Sequence, residues 1–133
     1  MDFGLNGKVA IITGGSEGIG KAAASSMAQE GAKVVICART KETLDSAAEE
    51  IRRDSGGTVL AVSADVIDPA QISNVVDRAI AEFGRLDIVV NNAGTSAGGN
   101  FETVDDAAWQ HDMDLKFFAA IRFSRLAIPH MKA

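Results

Sequence analysis

The sequence predicts an α/β fold in which a parallel sheet of about four strands carries helices on both faces. Three observations lead there. Four short apolar runs recur through the 133 residues, each lacks the strict alternation of a half-exposed strand, and segments with helical punctuation separate them. A near-continuous apolar run offers no face to water, so it suits a strand covered on both sides, and parallel neighbours then need crossover helices.

The first run is VAII at residues 9–12, followed by the glycine-rich turn TGGSEGIG and a helix over about residues 18–30, with Gly31 placed to end it. The second run, VVIC at residues 34–37, leads into a helix that starts at Thr40 and ends near Asp54, before Gly56 and Gly57. The third run is VLAV at residues 59–62. The helix after it has the fullest punctuation: Asp68 as N-cap, Pro69 at N1 and Gln71 at N3 as in a capping box. Its apolar stripe is Ile72, Val75, Val76, Ala79, Ile80 and Phe83, and Gly84 closes it. The fourth run, LDIVV at residues 86–90, precedes a glycine-rich loop at residues 95–100 and one long helix from about Asp105 to Met131. No low-complexity tract and no repeat beyond the βα alternation is present. With right-handed crossovers this order gives half of a doubly wound sheet.

Residues 1–133 are read as one domain, since 47% hydrophobic content with two prolines can build a core at this length. A net charge of −5 leaves no footprint for nucleic acid or an anionic membrane, both of which recruit clustered Lys and Arg, so a small-molecule partner is expected. The N-terminus begins with an acid, Asp2, and the run at residues 9–12 is too short for a signal peptide or a membrane span; the reading is cytoplasmic. Cys37, the single cysteine, lies in VVIC and is read as a small buried hydrophobe.

The turn at Thr13 to Ala22, TGGSEGIGKA, overlays two phosphate-binding patterns. From Gly15 to Lys21 it is one residue short of a mononucleotide P-loop, but Ala22 stands where that loop needs a hydroxyl for Mg²⁺. A dinucleotide site needs only glycines: Gly14 for the tight turn, Gly18 for approach of backbone to a pyrophosphate, and Gly20 for close packing of helix on strand. Arg39 lies about twenty residues on, at the strand end where a Rossmann-type site meets the adenosine ribose. An acid there suits NAD(H); a guanidinium suits the 2′-phosphate, so NADP(H) is favoured over NAD(H), with Glu17 as the one opposing charge.

These residues resemble the short-chain dehydrogenase/reductase family over the whole chain: TGGSEGIG at Thr13 to Gly20, Asp65-Val66 after the third strand, NNAG at Asn91 to Gly94 after the fourth, and the last helix from Trp109 through Pro129-His130-Met131. The resemblance implies an NAD(P)-dependent oxidoreductase acting by hydride transfer on carbonyls or alcohols. It places the pyrophosphate on the turn, at Gly14, Ser16, Glu17, Gly18, Ile19 and Gly20, the adenine at Asp65 and Val66, and the rest of the cofactor along Asn92, Ala93 and Gly94. Lys116 occupies the position of the family's tetrad asparagine and is read as a plain helical lysine. The family's catalytic serine and Tyr-x-x-x-Lys pair are not found in the 133 residues, which contain no tyrosine. The chain is therefore expected to stop short of the fifth strand and to be inactive alone.

No substitute centre is expected. His111 and His130 are read as solvated or satisfied, Asp105-Asp106 and Asp112 with Asp114 as helix-terminal and surface acids, and no Cys/His cluster has metal spacing. The alternatives are a catalytically inactive NADP-binding fragment or an oligomerising module. A homo-oligomer is expected because LDIVV would be an open edge and because Leu115, Phe118, Ile121, Phe123, Leu126 and Ile128 exceed what one sheet face needs.

Overall fold

The computed structural model describes residues 1–95 and 98–133. Ser96 and Ala97, within the expected glycine-rich loop, lie outside the described residues. The four expected strands form: β1 Val9–Thr13, β2 Lys33–Ala38, β3 Val59–Ser63 and β4 Ile88–Val90. All pairs are parallel and the sheet order is β3-β2-β1-β4, with Ile12 facing Ile36 on one side and Val90 on the other. Around them lie α1 Gly18–Gln29, α2 Lys41–Ser55, α3 Pro69–Phe83, α4 Asp106–Met113 and α5 Ala119–Met131.

Side-chain alternation splits the core in two. Val9, Ile11, Val35 and Cys37 point to α3 and α5, meeting Ile72, Val75, Val76, Ala79 and Phe123. Ala10, Ile12, Val34 and Ile36 point to α1 and α2, meeting Ala24, Ala28, Leu44, Ala47, Ala48 and Ile51. Helices therefore cover both faces, which is why β1 and β2 tolerate no polar position in mid-strand. Each fully buried Val, Leu or Ile contributes about 1.5–3 kcal/mol of transfer free energy.

Two boundaries and one capping contact differ from the sequence reading. The fourth strand is only Ile88–Val90; Leu86 is buried but precedes the ladder, and Asp87 turns its carboxylate to accept the Val9 N–H at 2.9 Å. The last helix is not uniform: a π-helical segment, Asp114–Phe118, separates α4 from α5. At α3, Asp68 caps as expected by accepting the Ala70 N–H at 2.9 Å. Gln71, however, does not return to the Asp68 N–H, which donates to the Asp65 carbonyl instead. Its Oε1 accepts the Asp65 N–H at 2.7 Å.

Candidate functional site

The C-terminal ends of β1, β2 and β3 open into a cleft of about 330 Å³. In doubly wound sheets this end is the binding end because helix N-termini converge there while the strand backbone is already paired. Gly14, Ser16 and Glu17 line the cleft from the β1 turn, Arg39, Thr40 and Thr43 from the end of β2 and the start of α2, and Asp65, Val66 and Ile67 from the turn after β3. Ala93, Gly94 and Thr95 close it after β4, with His111 and Leu115 from the last helical stretch.

The turn glycines have different physical duties. Gly14 and Gly18 adopt left-handed φ of 64° and 58°. A Cβ on Gly18 would meet nothing within 4 Å, so that position leaves space open, whereas a Cβ on Gly20 would lie 2.3 Å from the Gly14 oxygen and 2.5 Å from Asn92 Nδ2. Gly15 is a fourth constrained glycine that the sequence pattern did not single out; a Cβ there would sit 2.7 Å from Ile36. Gly14 thus turns the chain in a left-handed conformation, and Gly20 lets α1 approach the β1 turn and Asn92 closely.

Among the described residues, the helix N-termini divide into two kinds. α3 and α4 are closed by the carboxylates of Asp68 and Asp105, which accept the N–H groups of Ala70 and Ala108. α1 and α2 have no side-chain cap, and their N-cap residues, Glu17 and Thr40, both border the cleft. Two helix ends with unsatisfied N–H donors and positive dipole ends therefore meet one cavity, an arrangement suited to an anion. Lys21 does not join them: its ammonium pairs with Glu50 of α2, which removes the P-loop reading on geometric as well as chemical grounds.

The NNAG segment is held from beneath. Thr13, the one polar side chain among the described buried residues, accepts the N–H groups of Asn92 at 2.9 Å and Ala93 at 2.8 Å, and its hydroxyl donates to the Val90 carbonyl at 3.3 Å. The Asn92 amide donates to the Thr13 carbonyl at 3.2 Å. Asn92 is thus a buttress between β1 and β4, while Ala93 and Gly94 face the cleft. The sequence reading used Thr13 only to locate the turn; a threonine at the end of an otherwise apolar strand was the available signal.

Of the expected site residues, Gly14, Ser16, Glu17, Arg39, Asp65, Val66, Ala93 and Gly94 line the cleft. Gly18, Ile19, Gly20 and Asn92 are not in its lining; Ile19 is 82% exposed, an unusual position for an isoleucine beside a glycine turn. Lys116 lies in the π-helical segment, with Nζ 2.9 Å from Asp112 Oδ1 in an ion contact lacking hydrogen-bond alignment, and its stem lies over Gly94. His111, read as solvated or satisfied, is exposed and also borders the cleft, one turn before Leu115 on the stripe that continues to buried Ala119. Cys37 is buried as expected, and burial pushes its thiol up to about 12, the contact with the Gly14 backbone offsetting only part of this. No group of three or more potential metal ligands occurs among the described residues, and no helix there is long and apolar enough to cross a membrane.

Residues 8–133 match the family described as short chain dehydrogenase. An uncharacterized oxidoreductase of Bacillus subtilis is 39% identical over 134 residues, which cover all of this chain and 49% of the relative. An 11-beta-hydroxysteroid dehydrogenase of Sesamum indicum is 38% identical over 127 residues, 95% of this chain and 36% of that protein. Among solved structures, L-sorbose reductase from Gluconobacter frateurii, complexed with NADPH and L-sorbose, superposes with a TM-score of 0.96 at 42% identity, covering 99% of this chain and 50% of its own. Hydroxysteroid dehydrogenase from Escherichia coli gives 0.92 at 34% identity, covering 96% and 54%. The chain spans about half the length, or less, of these relatives.

Proposed function

The chain belongs to the short-chain dehydrogenase family, and from that premise we propose that it forms the NADP(H)-holding part of an oxidoreductase that moves a hydride between cofactor and a carbonyl or alcohol. The preference for NADP(H) rests on one observation: the end of β2 presents Arg39, Thr40 and Thr43 to the cleft, beside the uncapped N-terminus of α2. A planar guanidinium, the Thr40 hydroxyl and free N–H groups match a phosphate, while Thr43 donates its hydroxyl to the Thr40 carbonyl at 3.1 Å. Glu17 and Asp65, which also line the cleft, are the charges that oppose a phosphate there. The solved relative that holds NADPH supports the same choice.

A dinucleotide fits the donor set. Gly14, Ser16 and the open N-terminus of α1 would hold the pyrophosphate, Asp65 and Val66 the adenine against Leu115, and Ala93 and Gly94 would border the remainder. When bound, the nicotinamide supplies the hydride acceptor or donor. The chain's own residues bind and orient it; a tyrosine able to exchange a proton with a substrate oxygen is not among them, so we assign the proton step to residues outside these 133. A second reading, an NADP(H)-binding or oligomerising module without turnover, is favoured by the position of β4 at the sheet edge. We further propose a cytoplasmic setting and no nucleic-acid partner, consistent with the acidic charge balance.

Calorimetric titration of the 133-residue chain with NADPH and NADH tests this. NADPH is expected to bind more tightly, and Arg39→Ala to weaken NADPH about 10- to 100-fold with little effect on NADH, the worth of a charge-assisted phosphate contact. Equal affinities would remove the NADP(H) preference; no binding by folded protein would remove the holding role.

A further inference from the structure

The turn between β3 and α3 fixes one carboxylate more tightly than a surface loop requires. Asp65 has four polar groups, and three are committed within the protein. Its carbonyl accepts the Asp68 N–H at 3.1 Å, Oδ1 accepts the Ile67 N–H at 3.1 Å, and its own N–H donates to Gln71 Oε1 at 2.7 Å. Among the described residues Oδ2 alone has no partner, and Asp65 lines the cleft. Gln71 is itself held, since its Nε2 donates to Asp68 Oδ2 at 3.1 Å. The glutamine side chain thus spans the first turn of α3 and fastens the last residue before the bend to the helix cap.

We propose that Gln71 is a positioning residue for the adenine end of the cleft: by taking the Asp65 N–H it sets the backbone from which Oδ2 is presented to the exocyclic amine of the base. This rests on the dinucleotide reading above. A carboxylate oxygen with no other partner accepts a hydrogen bond from a 6-amino group and repels a 6-oxo group, so the site discriminates adenine from hypoxanthine. Removing the acceptor on Gln71 leaves the Asp65 peptide N–H without its partner and frees the turn to relax. The carboxylate then stays in place chemically but no longer in orientation, a loss felt by base discrimination before overall affinity.

The probes are NADPH and its hypoxanthine counterpart, titrated into the wild-type chain and into Gln71→Met, which keeps length and helix propensity but has no acceptor of comparable strength. The wild type is expected to prefer NADPH roughly tenfold, the worth of one charge-assisted hydrogen bond, and Gln71→Met to reduce that preference to about threefold or less. A lowered melting temperature with the preference intact would show a purely structural glutamine and overturn the proposal. Amide hydrogen exchange in the cofactor-free wild type provides a second test that needs no variant. The Asp65 amide is expected to be protected, and free exchange there would equally overturn it. Wild type that fails to bind NADPH at all would bring down the dinucleotide reading and this proposal together, whereas binding with unchanged discrimination in the variant would bring down this proposal alone.

Discussion

Gly20 shows how little freedom the phosphate turn has at the level of single atoms. Because both neighbours of its absent Cβ are fixed, one a backbone oxygen and the other a buttressing amide, even one methyl group must displace the turn. Gly20→Ala is expected to cost about 1–3 kcal/mol, as overpacking does, and to abolish NADPH binding, read by urea denaturation and titration; wild-type stability would refute the close approach. Cys37 makes the opposite point, that a cleft-lining residue can be chemically silent. Burial pushes its thiol up to about 12 and so keeps it protonated near neutrality, and a thiol reagent is expected to label it only on unfolding. Rapid labelling of native protein would contradict that. Arg39 was legible from its spacing after the glycine turn, since a strand end is a short-range feature, whereas Asp65 was singled out only by the family resemblance. Thr13 and His111 were not, because what they face depends on how β4 and the last helical stretch pack.

Among the elements, the helices read most clearly where a cap was local. Asp68, Pro69 and Gly84 bound α3 as expected, because capping involves residues two or three apart. The capping box failed since Gln71 found a competing donor in Asp65, brought near by the β3 turn. The short β4 follows from Asp87, whose carboxylate is held below the ordinary aspartate value of 3.8 by Arg85 first, with help from the Val9 N–H and against partial desolvation. A depressed carboxylate contributes stability that is whole above its unfolded pKa and lost as pH falls through the lower folded one. Asp87→Asn is therefore expected to lose about 1–2 kcal/mol near neutrality, the paired Arg85 being half exposed. That difference should shrink below about pH 4, measured by denaturation across pH; a pH-independent difference would count against the pairing. The π-helical segment, DLKFF, carries no Gly or Pro to mark it in the sequence.

At the scale of the molecule, the sheet ends on a three-residue strand that is only half-buried, with one side of its ladder unpaired among the described residues. The last helical stretch adds exposed Trp109, Met113, Phe117, Phe118, Ile128 and Met131, while Phe123 alone of its large residues is fully buried. Apolar surface and an open strand edge together favour association. The isolated 133-residue chain is expected to show a light-scattering mass of two or more copies, and a mass of one chain would sink that expectation.

The sequence by itself determined the β-α alternation, the parallel sheet, the glycine turn and the strand end at which Arg39 stands. Each is written in local period, caps or fixed spacing, which a single segment carries without knowing its neighbours. The tertiary structure decided which residues share the cleft, that Lys21 turns away to Glu50, that Thr13 and Asn92 brace β1 against β4, and that Gln71 fastens Asp65. Those contacts join atoms distant in the chain or rival donors in one turn, and only packing settles which partner each polar group finds.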